Sequence, residues 1–95
     1  MEFKKRPSKS LVVCGPAPLN ADLSPGRNYK AGEEVSLCPK RDGLHERLHA
    51  EVLDTNGERL IVRALHPYYA GPTERLVNRG ERFEVGRDEV FVVFL

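Results

Sequence analysis

The dipeptide Asn56-Gly57 lies between two runs of alternating apolar and polar residues, and this pattern most constrains what the chain can fold into. Asn-Gly is typical of two-residue hairpin turns, because a type I′ turn needs positive φ at both central residues. Six apolar residues fall on one face of the two predicted strands: Leu48, Ala50, Val52, Leu60, Val62 and Ala64. The pattern predicts a β-hairpin at the centre of a small β domain.

Residues 42–54 also fit a helix. An aspartate at its start would cap such a helix, and Leu44, Leu48 and Val52 would form an apolar stripe along it. A strand instead places Ala50 on the same face as Leu48 and Val52. The sequence leaves both alternatives open at 43–54 and favours the strand.

Shorter apolar or alternating runs predict further strands on both sides of the hairpin. They lie at residues 11–14, 33–38, 82–85 and 89–95. Proline and glycine interrupt residues 19–31 and 66–80, which we therefore expect to form two long loops. The last run is apolar on both faces, which is typical of a central strand buried on both sides. The predicted fold is mainly β, a curled antiparallel sheet of about five to six strands with two long loops.

The length and charge of the chain restrict its class. Its 95 residues suit one domain, which we place at residues 11–95 after a basic flexible arm at residues 1–10. The net charge of +1 argues against a protein built mainly to grip a phosphate backbone. Residues 1–41 nevertheless carry a net +4 and residues 42–95 a net −3, which leaves room for one basic face.

The sequence also indicates a compartment. No apolar run reaches the roughly 18 residues that suggest a membrane span, and the apolar run after the basic N-terminus is too short for a signal peptide. Two cysteines without a secretory signal are typical of reduced thiols. We therefore expect a cytoplasmic protein.

Two glycines and five apolar residues recur at spacings found in a known class of small barrels. They are Gly32, Val35, Leu37, Ala50, Val52, Gly57 and Val62. Residues 32–65 thereby resemble the SH3-like barrels of the KOW and Tudor kind. The resemblance implies a small SH3-like barrel that binds proteins, RNA or modified tails and is not an enzyme. The chain departs from that family in its N-terminal extension and in the insertion between Ala64 and Glu81, and no binding residue can be carried over.

An H-E-x-x-H string occurs at residues 45–49. On a helix, His45 and His49 would lie one turn apart on one face and could hold Zn²⁺, with Glu46 as general base. Glu74 is the candidate third ligand. A strand would separate the two histidines, and a chain of 95 residues leaves little room for a substrate cleft. Two surface histidines are the simpler interpretation, and a miniature zinc-dependent hydrolase is the alternative.

A structural zinc site is a second metal alternative. Cys38, His45 and His49 would supply three ligands, with Cys14 or His66 as the fourth. The chain lacks the paired-cysteine knuckle typical of such sites, so thiols that pack as small apolar groups are the simpler interpretation. We expect no cofactor and no bound metal.

Two adjacent tyrosines, Tyr68 and Tyr69, occur in the second long loop with arginines downstream of them. Tyr and Arg are common anchors of protein interfaces, because each offers a large contact area with a polar end. Packing of one tyrosine into the core beneath its loop is equally compatible with the sequence. The predicted partner-binding residues are Tyr68, Tyr69, Arg75, Arg79 and Arg63.

These observations predict a non-catalytic binding module. We expect a small regulator or inhibitor that binds a larger protein or protein assembly, of a kind that bacteriophages and mobile elements often encode. The alternative is a nucleic-acid-binding module whose basic face comprises Lys4, Lys5, Arg6, Lys9, Lys40 and Arg41. Nucleic-acid affinity would fall steeply with salt, whereas a protein inhibitor would form a salt-tolerant complex.

Overall fold

The computed structural model describes residues 1–7, 12–15, 27–41, 43 and 47–94, and these form a mainly β protein, as predicted. The strands are β1 (Val12–Cys14), β2 (Glu34–Leu37), β3 (Leu48–Asn56), β4 (Arg59–Ala64), β5 (Tyr68–Tyr69), β6 (Arg75–Val77), β7 (Arg82–Gly86) and β8 (Val90–Phe94). One 3₁₀ turn, Arg87–Glu89, connects β7 to β8.

Six of the strands form one sheet, in the order β1-β8-β2-β3-β4-β7, and β5 pairs with β6 in a separate hairpin. The strands from β8 to β7 are antiparallel, and β1 adds to the edge in parallel with β8. Across the described ranges no pairing joins β1 to β7, so the sheet is open and does not close into a barrel. The prediction of a five- to six-stranded sheet is confirmed. Within the same ranges, no helix has the length and apolarity that crossing a membrane requires.

The central hairpin forms as predicted, but its turn lies one residue later. Asn56 pairs with Arg59, so Gly57 and Glu58 are the two turn residues. Gly57 has φ +62°, and no non-glycine residue among those described has positive φ, which excludes the predicted type I′ turn at Asn56-Gly57. The helix alternative is wrong for residues 48–54, since they belong to β3.

A β-bulge at Leu53 reconciles this turn with the apolar pattern. If the pairing next to the turn continued along the strands, the core residues of β3 would lie opposite residues of β4 that point to the other face of the sheet. A register shift of one residue places every side chain of a strand on the other face. The register changes between Val52 and Asp54, so that Val52 lies opposite Val62. All six predicted core residues of the hairpin are consequently buried.

One face of the main sheet is the core face. Elements outside the sheet complete the core by packing against it: Phe3, Tyr29, Tyr68 and Val77. The sheet contributes Val35, Leu37, Leu48, Ala50, Val52, Leu60, Val62, Ala64, Val85, Val90 and Val93. The long connection from His66 to Gly80 therefore contributes two of the residues that cover the core face, Tyr68 and Val77.

β8 is an internal strand of the sheet, as its apolar sequence predicted, and it lies between β1 and β2. It is buried on one side only, not on both sides as predicted. Val90 and Val93 are fully buried, whereas Val92 and Phe94 are half-buried on the opposite face. Phe91 is an extra residue in the pairing with β2, and the Arg47 guanidinium lies 4.5 Å from its ring centroid. The extra residue at the bulge is apolar and packs against Arg47, so the apolar run is longer than a strand with one buried face requires.

The N-terminal residues that the structure describes do not form the predicted flexible arm. Phe3 is 5% exposed and forms an isolated bridge with Pro39. The Lys4 N–H donates to the carbonyl of Cys38 at 2.7 Å, and the Phe3 ring meets Phe83 edge to face at 5.5 Å. The apolar ring of Phe3 explains why this segment packs on the domain despite its basic charge. Residues 8–10 of the predicted arm lie outside the described residues.

Tyr29 occupies a second covering position, surrounded by arginine. Tyr29 is 4% exposed, and its hydroxyl has no hydrogen-bond partner among the described residues. The guanidinium carbons of Arg27 and Arg87 lie 5.0 Å and 5.8 Å from the ring centroid. Arg27 is itself held by Glu33, 2.8 Å away. Burial raises the pKa of the Tyr29 phenol, and this effect outweighs the opposing effect of the nearby positive charges.

Replacing Tyr29 by phenylalanine is expected to raise the free energy of unfolding by about 1 kcal/mol near neutral pH, because it removes a buried hydroxyl for which the described part of the chain supplies no partner. The raised pKa adds a pH dependence. Above about pH 10 the unfolded chain ionises this tyrosine while the folded chain resists ionisation, so stability falls as pH rises. Urea unfolding from about pH 8 to about pH 11 should show a steeper loss for the unsubstituted protein than for Tyr29→Phe. Equal slopes would contradict this interpretation.

Candidate protein-binding surface

The structure separates the two adjacent tyrosines. Tyr68 is 1% exposed and packs in the core, and its hydroxyl donates to the carbonyl of Arg41 at 3.4 Å. Gly43 is so close to Tyr68 that a Cβ on this glycine would lie 2.7 Å from a ring atom. The prediction that Tyr68 contacts a partner is therefore wrong for this structure, since its side chain is enclosed by the chain itself.

Tyr69 is half-buried and lies on the β5–β6 hairpin opposite Arg75. The guanidinium carbon of Arg75 lies 5.7 Å from the Tyr69 ring centroid, and its Nη1 donates to Oδ1 of Asn78 at 3.1 Å. These two contacts limit the conformations of an otherwise flexible arginine, which lowers the entropy cost of binding. The hairpin surface, which we define as Tyr69, Arg75, Asn78 and Arg79, thus presents a pre-positioned aromatic and arginine pair.

Arg79 follows the hairpin directly and borders a shallow groove. The groove has a volume of about 380 Å³, and its lining comprises Arg63, Ala64, Leu65, Arg79 and Gly80. The Gly80 N–H donates to the carbonyl of Ala64 at 2.8 Å, which fixes the turn against the end of β4. Arg79 is exposed, and no ion pair involves it among the residues that the structure describes. The groove therefore brings together Arg63 and Arg79, two of the predicted partner-binding residues.

Arg63 also belongs to the open face, which we define as the side of the main sheet opposite the core. Its guanidinium pairs with the carboxylate of Glu51 on β3. Arg63 is exposed and Ile61 is half-buried, because no part of the described chain covers this side of β4. Along β4, the open face is therefore an amphipathic surface and not a second internal layer.

The basic residues of the nucleic-acid alternative do not form an uninterrupted cationic face. Lys5 lies 3.6 Å from Asp88, Lys40 lies 3.7 Å from Glu2, and Arg41 pairs with Glu74. Arg6 donates to the main-chain carbonyl of Val90 at 2.6 Å and so joins the N-terminal segment to β8. Lys4 is exposed without an ion pair among the described residues, and Lys9 lies outside them.

The predicted zinc ligands are not assembled in the part of the chain that the structure describes. His49 lies in β3 and donates from Nδ1 to the Glu34 carboxylate at 3.1 Å, while Glu74 pairs with Arg41. No three His, Cys, Asp or Glu side chains converge within the described ranges. His45 of the H-E-x-x-H string lies outside these ranges, and Cys14 and Cys38 are unpaired thiols.

His49 and His66 instead have structural contacts. Nε2 of His66 accepts the main-chain N–H of His49 at 3.1 Å, so the proton of His66 must be on Nδ1, which donates to the carbonyl of Pro67 at 2.7 Å. The His49 ring stacks on Phe94, with centroids 5.3 Å apart. These contacts join β3 to β8 and to the start of the β5–β6 connection.

Comparison with models of known protein families, with curated proteins and with solved structures returned no match.

The sequence missed the residues whose neighbours depend on strand register. Asn78 holds Arg75, and this contact could be suspected only from the spacing of three residues. Arg82 lies opposite Arg63, and Glu34 lies opposite Glu51, which no local pattern reveals. The grouping of Glu34, Glu51, Arg63 and Arg82 depends on the order of β2, β3, β4 and β7 in the sheet.

Proposed function

We propose that this chain is a non-catalytic binding module that regulates or inhibits a larger protein through the hairpin surface. The observation that carries the proposal is the stacked pair of Tyr69 and Arg75, held by Asn78 on a hairpin outside the main sheet. Aromatic and arginine side chains that are ordered before binding are typical of interface hot spots. Arg79 and the groove beside it extend this surface.

The rest of the described chain supports binding more than the alternatives. Most cations of the N-terminal set are already paired with carboxylates or with main-chain carbonyls, so few of them are available for phosphate. The resemblance of residues 32–65 to SH3-like barrels also suggests binding and not catalysis. Unpaired thiols agree with the cytoplasm as the compartment in which we propose that the module acts.

The test compares tagged variants as baits in lysate of the native host. The first variant is Tyr69→Ser combined with Arg75→Ser, which removes both anchors of the hairpin surface. The matched control is Lys4→Ser combined with Lys40→Ser, which removes two exposed cations from the N-terminal set. Captured proteins are compared after nuclease treatment and after washes at low and high salt.

We expect the unsubstituted protein and the lysine control to retain one stoichiometric partner at high salt and after nuclease treatment. The hairpin variant should bind that partner at least about 30-fold more weakly, as expected when two hot-spot residues are lost. Capture that disappears with nuclease or with the lysine control would contradict the proposal and favour the nucleic-acid alternative. Equal capture by the hairpin variant would place the binding surface elsewhere.

A further inference from the structure

Four charged residues form a row across the open face. The strand register places Glu34 opposite Glu51, Glu51 opposite Arg63, and Arg63 opposite Arg82. All four alternate with buried residues of the core face, so their side chains lie on the open face. Read from β2 to β7, the row has the order acid, acid, base, base, and it spans about 14 Å.

Two of the three neighbouring pairs in this charge row carry like charges. Like charges directly opposite each other on antiparallel strands destabilise a sheet. The central Glu51 and Arg63 pair with one another, and Glu34 accepts a hydrogen bond from His49. Arg82 is exposed, and among the described residues no carboxylate pairs with it. Unfavourable pairings of this kind are expected on a surface that binds a partner.

Half-buried apolar side chains border the charge row on the same face. Ile61 and Leu65 lie on either side of Arg63 along the chain, and Phe94 lies opposite Glu34. The His49 ring covers part of Phe94. An amphipathic face of this kind can lose apolar surface to a partner while the charges set the orientation.

We propose that the open face binds a second copy of this chain. A two-fold axis that runs parallel to the strands, between Glu51 and Arg63, reverses the order of the charge row in the second copy. Glu34 then faces Arg82 of the second copy, and Glu51 faces Arg63 of the second copy. A two-fold contact is isologous, so one surface satisfies both like-charged pairs at once.

The two kinds of residue have different roles in this dimer. Exposed ion pairs add little to affinity, so the apolar side chains supply most of it. The charges select the two-fold register, because any arrangement that places acid opposite acid is repulsive. The dimer should therefore weaken when salt screens the charge row. The contact shares Arg63 and Leu65 with the groove beside Arg79, but it includes none of Tyr69, Arg75, Asn78 and Arg79. Substitutions at Glu34 and Arg82 leave those four residues unchanged, so failure of the dimer and failure of the proposed function are distinguishable.

The test uses charge reversals at the two ends of the row. Glu34→Arg alone places two cations opposite each other at both ends of the dimer, and Arg82→Glu alone places two carboxylates there. Mixing the two single variants restores acid opposite base at both ends, and so does the double variant Glu34→Arg/Arg82→Glu. Sedimentation equilibrium over a range of concentrations measures the dimerisation of each sample, and circular dichroism with thermal unfolding confirms that each is folded.

We expect the unsubstituted protein to dimerise and each single variant to do so at least about tenfold more weakly. The equimolar mixture and the double variant should recover the association of the unsubstituted protein. A monomeric unsubstituted protein, or single variants that dimerise normally, would overturn the proposal. Failure of both the mixture and the double variant to recover would do the same. If the open face binds an acidic peptide or another protein while the chain stays monomeric, the proposed occupant is wrong.

Discussion

Tyr68→Ala is expected to lower the free energy of unfolding by about 3–5 kcal/mol, the range for removing a buried aromatic ring. Tyr68 is 1% exposed, and its ring closes the core beneath the β5–β6 hairpin. Gly43 packs directly against the ring, so little of the lost volume can be refilled from that side. The substitution also removes the hydrogen bond that its hydroxyl donates to Arg41.

The neighbouring substitution, Tyr69→Ala, provides the matched control. Tyr69 is half-buried and stacks on one arginine, so its loss should change stability by no more than about 1 kcal/mol. Chemical denaturation of both variants measures the difference, and partner capture by Tyr69→Ala should fall although the protein stays folded. A similar stability cost for both tyrosines would contradict the division between a core residue and a surface residue.

Phe3→Ala should be nearly as costly, at about 3 kcal/mol. Phe3 is the apolar side chain that fixes the N-terminal segment to the domain, through Phe83 and the bridge to Pro39. Its loss should also release the main-chain bond from Lys4 to Cys38. For a domain of this size, the midpoint of thermal unfolding should fall by roughly 10–20 °C.

The adjacent exposed residue shows whether this effect depends on the ring. Lys4→Ala should stay within about 0.5 kcal/mol of the unsubstituted protein, because no ion pair of this lysine is present among the described residues. Calorimetry of the two variants tests the difference. If Phe3→Ala has the same midpoint of thermal unfolding as the unsubstituted protein, then the N-terminal segment is the flexible arm that its composition predicted.

The central hairpin was predictable because its apolar pattern repeats with the period of a strand. The pattern also contained the evidence for a bulge. A two-residue turn at Asn56-Gly57 pairs Val52 with Ile61, which places a core residue opposite a residue of the open face. One extra residue on either strand removes this conflict. In the structure the turn lies at Gly57-Glu58, and the extra residue is Leu53, which leaves Val52 opposite Val62.

The pairing of distant segments could not be read from local patterns. Nothing near Val12–Cys14 indicates that β1 runs parallel to β8 or that β8 lies between β1 and β2. Likewise, the position of Phe3 depends on a contact with Phe83 far along the chain. The basic composition of the N-terminal segment predicted a solvated arm, but burial of the Phe3 ring holds this segment on the domain.

The candidate surface was partly predictable for the same reason. The types of residue in the second long loop indicated an interface. Arg75 and Arg79 are exposed, and the half-buried Tyr69 lies against Arg75. The sequence could not separate Tyr68 from Tyr69, because adjacent residues of a short strand point to opposite sides and the loop hides which side is the core. The Glu34 to Arg82 charge row needed the register of four strands.

Site-specific photo-crosslinking measures most directly whether the hairpin surface contacts a partner. A photoreactive phenylalanine derivative is introduced at position 69 in one variant and, as a control, in place of Glu58, an exposed turn residue of the β3–β4 hairpin. After irradiation in lysate of the native host, we expect a covalent adduct with one protein from position 69 and none from position 58. An intact complex that crosslinks from position 58 and not from position 69 would contradict the proposed binding surface.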